Sequence, residues 1–101
     1  MAIEDVVKGF REKLQFAGIT GKTIKIEIED EGVIFVDTNE MPYEITEGKD
    51  EDSDVTMVAS MDTYKNILSG VQDPNMAFMM GKLKVKGSMG LAMKLASVLE
   101  D

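Results

Sequence analysis

This chain of 101 residues contains neither cysteine nor histidine. Their absence excludes disulfides, thiolate and imidazole nucleophiles, the Ser-His-Asp arrangement and almost every zinc, copper or iron site. No apolar run approaches the roughly 20 residues that cross a bilayer. Residues 1–5 carry charge where a signal peptide needs an apolar core. Any chemistry must therefore come from carboxylates, hydroxyls or lysines, and we expect a cytoplasmic protein.

Basic residues are also scarce, with 11 lysines and arginines against 19 acids, a net charge of -8 and a pI near 4.5. Such a molecule repels nucleic acid at neutral pH, so no nucleic-acid partner is expected. A content of 44% hydrophobic and 30% charged residues is typical of a soluble globular protein. We expect residues 1–101 to form a single domain, because this length suits one.

Hydrophobic periodicity predicts helices alternating with strands. Apolar residues at helical spacing predict helices at residues 3–17, 60–68, 74–80 and 88–99, with Ser60, Asp73 and Ser88 as N-caps. Alternating or continuous apolar residues predict strands at residues 23–29, 33–36, 43–46, 55–59 and 82–86. The acidic residues 47–54 are predicted to form a solvated loop. This order is typical of an α+β domain in which helices cover one face of a five-stranded, mostly antiparallel sheet.

Three fragments of known motifs are present, and each lacks an essential part. Gly21-Lys22-Thr23 looks like the end of a phosphate loop, but Phe16 stands at the position where that loop needs its first glycine. The acidic run from Asp50 to Asp54 lacks the turn glycine and the closing glutamate of a calcium loop. Ser88 has no histidine to activate its hydroxyl, which leaves its role as a helix cap. We therefore expect no metal ion and no cofactor, and none of the three fragments indicates a catalytic site.

Methionine, by contrast, is abundant, with nine in the chain and seven of them from Met57 onward. Thioethers bind Cu(I), but such sites usually recruit cysteine or histidine as well. Filling of irregular apolar space is therefore the favoured interpretation. Flexible, polarisable side chains also suit a cavity that adapts to varied apolar ligands.

The C-terminal third has more apolar side chains than one sheet face can cover. The last predicted helix has apolar residues on all sides of its circumference, and residues 76–80 form an unbroken apolar stretch. A helix that is apolar all round is buried on more than one side. Unless both helices are simply well packed, the second side faces a ligand cavity, another subunit or a membrane.

Charge is also distributed unevenly. Residues 27–54 contain twelve acids and one base, whereas residues 74–99 contain four lysines and no acid. Alternation places Lys82, Lys84 and Lys86 on one face of the last strand, and the free amides after Gly87 can bind an anion. This combination suits an amphiphile with an acidic head. Lysines that protect an exposed sheet edge are the alternative interpretation.

Three segments carry a resemblance to a known family. They are Ser60-Met61-Asp62-Thr63-Tyr64, Asp73-Pro74-Asn75-Met76-Ala77-Phe78-Met79-Met80 and Gly81-Lys82-Leu83-Lys84-Val85-Lys86-Gly87-Ser88-Met89. With the order and length of the preceding elements, the chain closely resembles the sterol carrier protein type two family over nearly its whole length. The resemblance implies a five-stranded sheet covered on one side by helices. It also implies a hydrophobic tunnel that takes fatty acids, fatty acyl-CoA or sterols, without catalysis.

We therefore predict a non-catalytic lipid carrier for a lipid or acyl amphiphile, with no stable membrane insertion. The predicted lipid-binding residues are Met76, Phe78, Met79, Met80, Leu83, Val85, Met89, Met93 and Leu95. The predicted head-group-binding residues are Lys82, Lys84, Lys86 and Ser88. The alternative is an oligomerisation or interaction module, in which the same apolar surface forms the interface of a homodimer.

Overall fold

The computed structural model describes residues 2–100, which form four helices and a five-stranded sheet. The helices are α1 (Ile3–Leu14), α2 (Met61–Leu68), α3 (Pro74–Met79) and α4 (Met89–Leu99). The strands are β1 (Thr23–Ile28), β2 (Gly32–Asp37), β3 (Glu44–Glu47), β4 (Val55–Ala59) and β5 (Lys84–Gly87). Every predicted helix and strand is present, and the predicted α+β class is confirmed.

The strands lie in the order β3-β2-β1-β4-β5. Neighbouring strands are antiparallel except at the centre, where β1 and β4 run parallel. A parallel pair needs a long crossover connection. The chain from β2 through β3 and residues 48–54 supplies it. The sheet is therefore mixed but mostly antiparallel, as predicted.

One face of the sheet, the inner face, is buried under the helices. Ile24, Ile26 and Ile28 of β1 point to this face, as do alternate residues of β4, and all of them are buried. Val6 and Phe10 of α1 are fully buried in the same core. Every second side chain of a strand points to the same face. Burial of only the inner face therefore explains the strict alternation in the sequence.

Side-chain caps determine where the later helices begin. The hydroxyl of Ser60 accepts a hydrogen bond from the backbone N–H of Thr63 at 3.1 Å. The hydroxyl of Ser88 accepts one from the N–H of Leu91 at 3.2 Å, and Asp73 caps α3 in a similar way. Each cap provides a partner for a backbone donor that has none within the helix. All three predicted caps are confirmed.

Two predicted boundaries are wrong by two or more residues. β5 begins at Lys84 rather than Lys82, because the N–H groups of Lys82 and Leu83 both donate to the carbonyl of Ala77 in α3. These two donors close the end of α3 and are not available to pair with β4. α1 is also shorter than predicted and ends at Leu14.

The acidic segment 48–54 is a mostly exposed loop, as predicted, and it also crosses the outer face of the sheet. The Nζ of Lys49 lies 4.9 Å from the centroid of the Phe35 ring, which is only 3% exposed. Lys25 and Asp50 form an ion pair at 2.9 Å, and this hydrogen bond raises the pKa of Lys25. An ammonium group over an aromatic face is attractive even at exposed sites. The segment thus covers an aromatic ring on the outer face.

Asp54, at the end of this segment, makes stability depend on pH. Its carboxylate accepts hydrogen bonds from the backbone N–H of Thr23 at 2.8 Å and from the Thr23 hydroxyl at 3.2 Å. These hydrogen bonds hold the pKa of Asp54 below its ordinary value. Because the folded state has the lower pKa, the stabilisation is complete above about pH 4 and is lost as the pH falls below it.

We expect Asp54→Asn to lower the urea midpoint at pH 7, because a neutral amide oxygen is the weaker acceptor. The difference from the wild type should shrink between about pH 4 and pH 2, as the wild-type carboxylate becomes protonated. Asp52→Asn is the matched control, since Asp52 is an exposed acid of the same segment. A difference that stays constant throughout this range would contradict the assignment to Asp54.

Candidate functional site

A narrow cavity lies between α3, α4 and β5, on the inner face of the sheet. Its wall consists of Met57, Pro74, Asn75, Phe78, Leu83, Val85, Met89, Ala92, Met93, Ala96 and Leu99. Among residues 2–100, no ionisable side chain is part of this wall. The volume is about 50 Å³, whereas pockets for small molecules commonly measure about 300–1,000 Å³. A ligand of lipid size must therefore displace part of the wall.

The periodicity of each element brings these side chains together. In α4, Met89 and Met93 are four residues apart, so they lie on the same side of the helix. In β5, Val85 pairs with Met57 of β4 and shares its inner face. Phe78 of α3 forms the third side. The cavity therefore follows from the way two amphipathic elements meet a sheet edge.

Three apolar side chains of the wall are also open to solvent. Phe78 is 44% exposed, Met89 47% and Met93 68%. Methionine has three rotatable bonds and adapts easily to a new shape. Movement of these side chains can widen the cavity without disturbing the sheet.

Five of the nine predicted lipid-binding residues lie on this wall, namely Phe78, Leu83, Val85, Met89 and Met93.

The other four lie elsewhere. Met76, Met79 and Met80 are exposed residues of α3 and its C-cap, and Leu95 is fully buried in the core. Their contact with a ligand stays a prediction.

The predicted head-group lysines of β5 lie on the outer face of the sheet. Lys84 pairs with Val58 and Lys86 with Thr56. Since Val58 and Thr56 alternate with the buried residues of β4, all four side chains point away from the cavity. The alternation of this strand is as predicted, but it separates these lysines from the apolar wall.

Lys82 and Ser88, the other predicted head-group residues, are also absent from the wall. Lys82 shares a polar surface depression with Glu29 and Asp62. The hydroxyl of Ser88 caps α4 by accepting from Leu91. A head-group role for these residues and for the two lysines of β5 stays a prediction.

A second, wider groove lies at the opposite edge of the sheet, and the sequence did not predict it. It measures about 350 Å³ and is lined by Arg11, Glu12, Leu14, Gln15, Met41, Pro42, Tyr43 and Ile45. The Tyr43 hydroxyl joins this wall to the segment that follows α1, since it donates to the carbonyl of Ile19 and accepts from the N–H of Ile19 at 3.0 Å. The pair Pro42-Tyr43 marks a turn in the sequence, but nothing there identifies Ile19 as the partner.

Neither cavity has the features of a metal site. Within residues 2–100, no group of three or more acidic side chains is close enough to hold a metal ion. The carboxylates whose pKa values are lowered, Asp37 and Asp54, lie outside both cavities, where Asn39 and Thr23 donate hydrogen bonds to them. The wall of the cavity between α3, α4 and β5 is therefore apolar, and its chemistry does not suit a metal ion.

The chain is thus a small α+β domain in which helices cover one face of a mixed sheet and an apolar cavity lies between the two layers. The sequence profile of the SCP-2 sterol transfer family matches residues 7–100. The chain therefore belongs to this family of lipid-binding and lipid-transfer domains.

Two mammalian relatives contain the matched region as part of a longer protein. Hydroxysteroid dehydrogenase-like protein 2 from Bos taurus is 37% identical over 99 residues, which are 97% of this chain and 22% of that protein. The protein of the same name from Homo sapiens is 40% identical over 74 residues, which are 72% of this chain and 18% of that protein. The chain thus spans about a fifth of the length of these relatives.

Two solved structures are similar in fold. The sterol carrier protein domain 2 of Helicoverpa armigera has a TM-score of 0.66 and 26% identity, with 95% of this chain and 72% of that one covered. Palmitated SCP2L2 from Aedes aegypti has a TM-score of 0.77 and 20% identity, with 100% of this chain and 96% of that one covered.

In the described part of this chain, no helix combines the length and apolar character needed to cross a membrane.

Proposed function

We propose that this domain binds a fatty acid or a related amphiphile between α3, α4 and β5, and carries it without changing it chemically. The observation that carries this proposal is a wall of eleven side chains, none of them ionisable, with movable methionines at the mouth. Membership of the SCP-2 sterol transfer family supports a lipid as the ligand. The palmitated relative from Aedes aegypti supports an acyl chain as the ligand class.

Burial of an acyl chain provides enough free energy for useful affinity. A ten-carbon chain contributes about 8 kcal/mol of hydrophobic free energy before the costs of association, which permits micromolar binding. Part of this free energy is used to widen the cavity. That cost is small where the displaced side chains are already half-exposed, as Phe78 and Met89 are.

The groove beside β3 is the competing location, because it is wide enough without rearrangement. Its wall includes the charged residues Arg11 and Glu12, which an acyl chain would have to pass. We favour the cavity at α3 and α4 because no charge interrupts its wall. A matched pair of substitutions separates the two locations.

Met93→Glu should weaken the binding of a fluorescent fatty acid at least tenfold, because it places a carboxylate on the wall that the acyl chain must displace. Met41→Glu is the matched control in the groove beside β3. The two methionines are similarly exposed, at 68% and 73%, so neither substitution buries a charge in the core. Circular dichroism confirms folding, and a fluorescence titration gives the affinity.

The outcomes decide whether the fatty acid binds at α3 and α4, in the groove beside β3, or at neither place. A loss with Met41→Glu alone would move the ligand to the groove beside β3, and normal binding by both variants would refute an apolar site at either place. Native mass spectrometry of the wild type tests the competing interaction module. A dimer that carries no lipid and takes none up would favour that module.

A further inference from the structure

We infer that Met89 and Met93, at the mouth of the cavity between α3, α4 and β5, form a modification site through which hydrogen peroxide controls the uptake of lipid. Oxidation of the two thioethers to sulfoxides lowers the affinity for an apolar chain, and reduction restores it. This control rests on the proposed lipid-binding function, because it regulates the same cavity.

Met89 and Met93 combine two properties that separate them from the other methionines of residues 2–100. Both are exposed, and both are part of the cavity wall. Met57 is also on the wall, but it is only 2% exposed, whereas Met79 is 77% exposed but lies off the wall. Susceptibility to oxidation follows exposure. Peroxide in solution therefore reaches the two mouth methionines, while the core protects Met57.

The oxidation needs no catalyst and no further cofactor. The thioether sulfur attacks one oxygen of hydrogen peroxide, so an S–O bond forms as the O–O bond breaks, and the other oxygen leaves as water. The sulfur loses two electrons, and the peroxide gains them. Methionine sulfoxide reductases reverse the step, since two thiols supply two electrons, become a disulfide and release the oxygen as water. The chain contains no cysteine, so no protein thiol competes for the oxidant.

A sulfoxide does not suit this wall, because it replaces a flexible apolar side chain with a polar one. In the described structure, Asn75 is the single polar side chain of the wall, and its Nδ2 donates to Glu100 at 3.1 Å. This contact places Asn75 at the C-terminal end of α4, whereas Met89 and Met93 lie in its first two turns. An acyl chain that covers a sulfoxide there removes water from it without providing a new partner. We therefore expect each sulfoxide to weaken binding roughly tenfold.

The ligand should in turn protect the two sulfurs. A bound acyl chain covers Met89 and Met93, so saturation with fatty acid should slow their oxidation. Met79 on α3 and Met41 in the groove beside β3 are exposed methionines outside this wall, and their oxidation should keep its rate. Peptide mass spectrometry measures all four rates in one sample. Protection of Met41 instead of the mouth methionines would overturn the inference.

The affinity for a fluorescent fatty acid, measured before and after peroxide treatment, tests the control directly. In the wild type with both mouth methionines oxidised, we expect a loss of roughly a hundredfold. Methionine sulfoxide reductases for both epimers, with dithiothreitol, should restore the affinity. Dithiothreitol has no disulfide to reduce in this chain, since the chain contains no cysteine.

Two leucine pairs assign the effect to particular sulfurs. Met89→Leu with Met93→Leu removes both sulfurs and keeps the side chains apolar and similar in volume. Met76→Leu with Met79→Leu is the matched control, because it removes two exposed sulfurs of α3 that lie off the wall. Each variant is compared with its own untreated sample. The first pair should respond little to peroxide, and the second should respond like the wild type.

Three results would overturn the inference and leave the proposed function standing. They are an unchanged affinity with sulfoxide at both mouth methionines, an equal loss in the Met89→Leu, Met93→Leu variant, and a loss of the helical signal in circular dichroism on oxidation. Failure of the untreated wild type to take up the fatty acid would refute the proposed function itself, and the control with it.

Discussion

Gly87→Ala should lower the free energy of unfolding by about 2–4 kcal/mol. Gly87 has a φ of 95°, where a residue with a side chain costs about 1–2 kcal/mol. A Cβ at this position would also lie 2.5 Å from the backbone oxygen of Asp54. That oxygen cannot move freely, because it accepts a hydrogen bond from the N–H of Ser88 at 2.9 Å. The clash therefore disturbs the hydrogen bond of Ser88, the N-cap of α4. Helix α4 in turn forms one side of the cavity.

Two other glycines separate the causes. Gly81 has a φ of 77° with open space around it, so Gly81→Ala should cost about 1 kcal/mol from backbone strain alone. Gly90 lies inside α4 with no atom within 4 Å of an added Cβ. Gly90→Ala should therefore stabilise the protein by about 0.5–1 kcal/mol. Urea unfolding measures all three variants. Equal losses at Gly81 and Gly87 would show that the Asp54 carbonyl moves aside without cost.

The predictable parts of the fold are those with local causes. Ser60, Asp73 and Ser88 bond to backbone groups two or three residues away, so the sequence identifies these helix starts directly. The alternation of β1 and β4 is equally local, because a strand turns successive side chains to opposite faces.

Long-range contacts were not predictable from the same patterns. The Tyr43 hydroxyl, on the wall of the groove beside β3, bonds to Ile19, 24 residues away, and no periodicity indicates this pairing. Lys49 lies over Phe35 in a segment whose acidic composition is typical of a solvated loop. In both cases, the partner is determined by strand order, which a single sequence leaves open.

For the candidate site, the sequence predicted the region better than the individual residues. The excess of apolar residues in the last third is visible in the composition and corresponds to the cavity at α3, β5 and α4. Which methionines line it depends on how the short helix α3 turns as it packs beside α4, and the apolar run from Met76 to Met80 has no polar side to show this. The alternation of β5 correctly predicted that Lys84 and Lys86 point to the other face of the sheet from Val85. The sequence could not show that the cavity lies on the face to which Val85 points.

The second large effect is expected at Tyr64, which is 1% exposed. Its ring packs edge-on against Phe10 of α1, with ring centroids 5.8 Å apart. Loss of this packing in Tyr64→Ala should cost about 3–5 kcal/mol, as for other large buried aromatic side chains. Urea unfolding measures the loss, and a cost below about 1 kcal/mol would show that the core closes around the deletion.

Tyr64→Phe should have the opposite effect on stability and raise the free energy of unfolding by about 1 kcal/mol. Burial, with a smaller contribution from Glu27 and Glu29, raises the pKa of the Tyr64 phenol, so the hydroxyl keeps its proton. Among residues 2–100 this hydroxyl has no hydrogen-bond partner. Removal of an unpaired buried polar group relieves its desolvation penalty. Tyr43→Phe makes the same chemical change where the hydroxyl both donates to and accepts from Ile19, and should lower stability by about 1–2 kcal/mol. If both variants lose stability equally, the Tyr64 hydroxyl is hydrogen-bonded in solution.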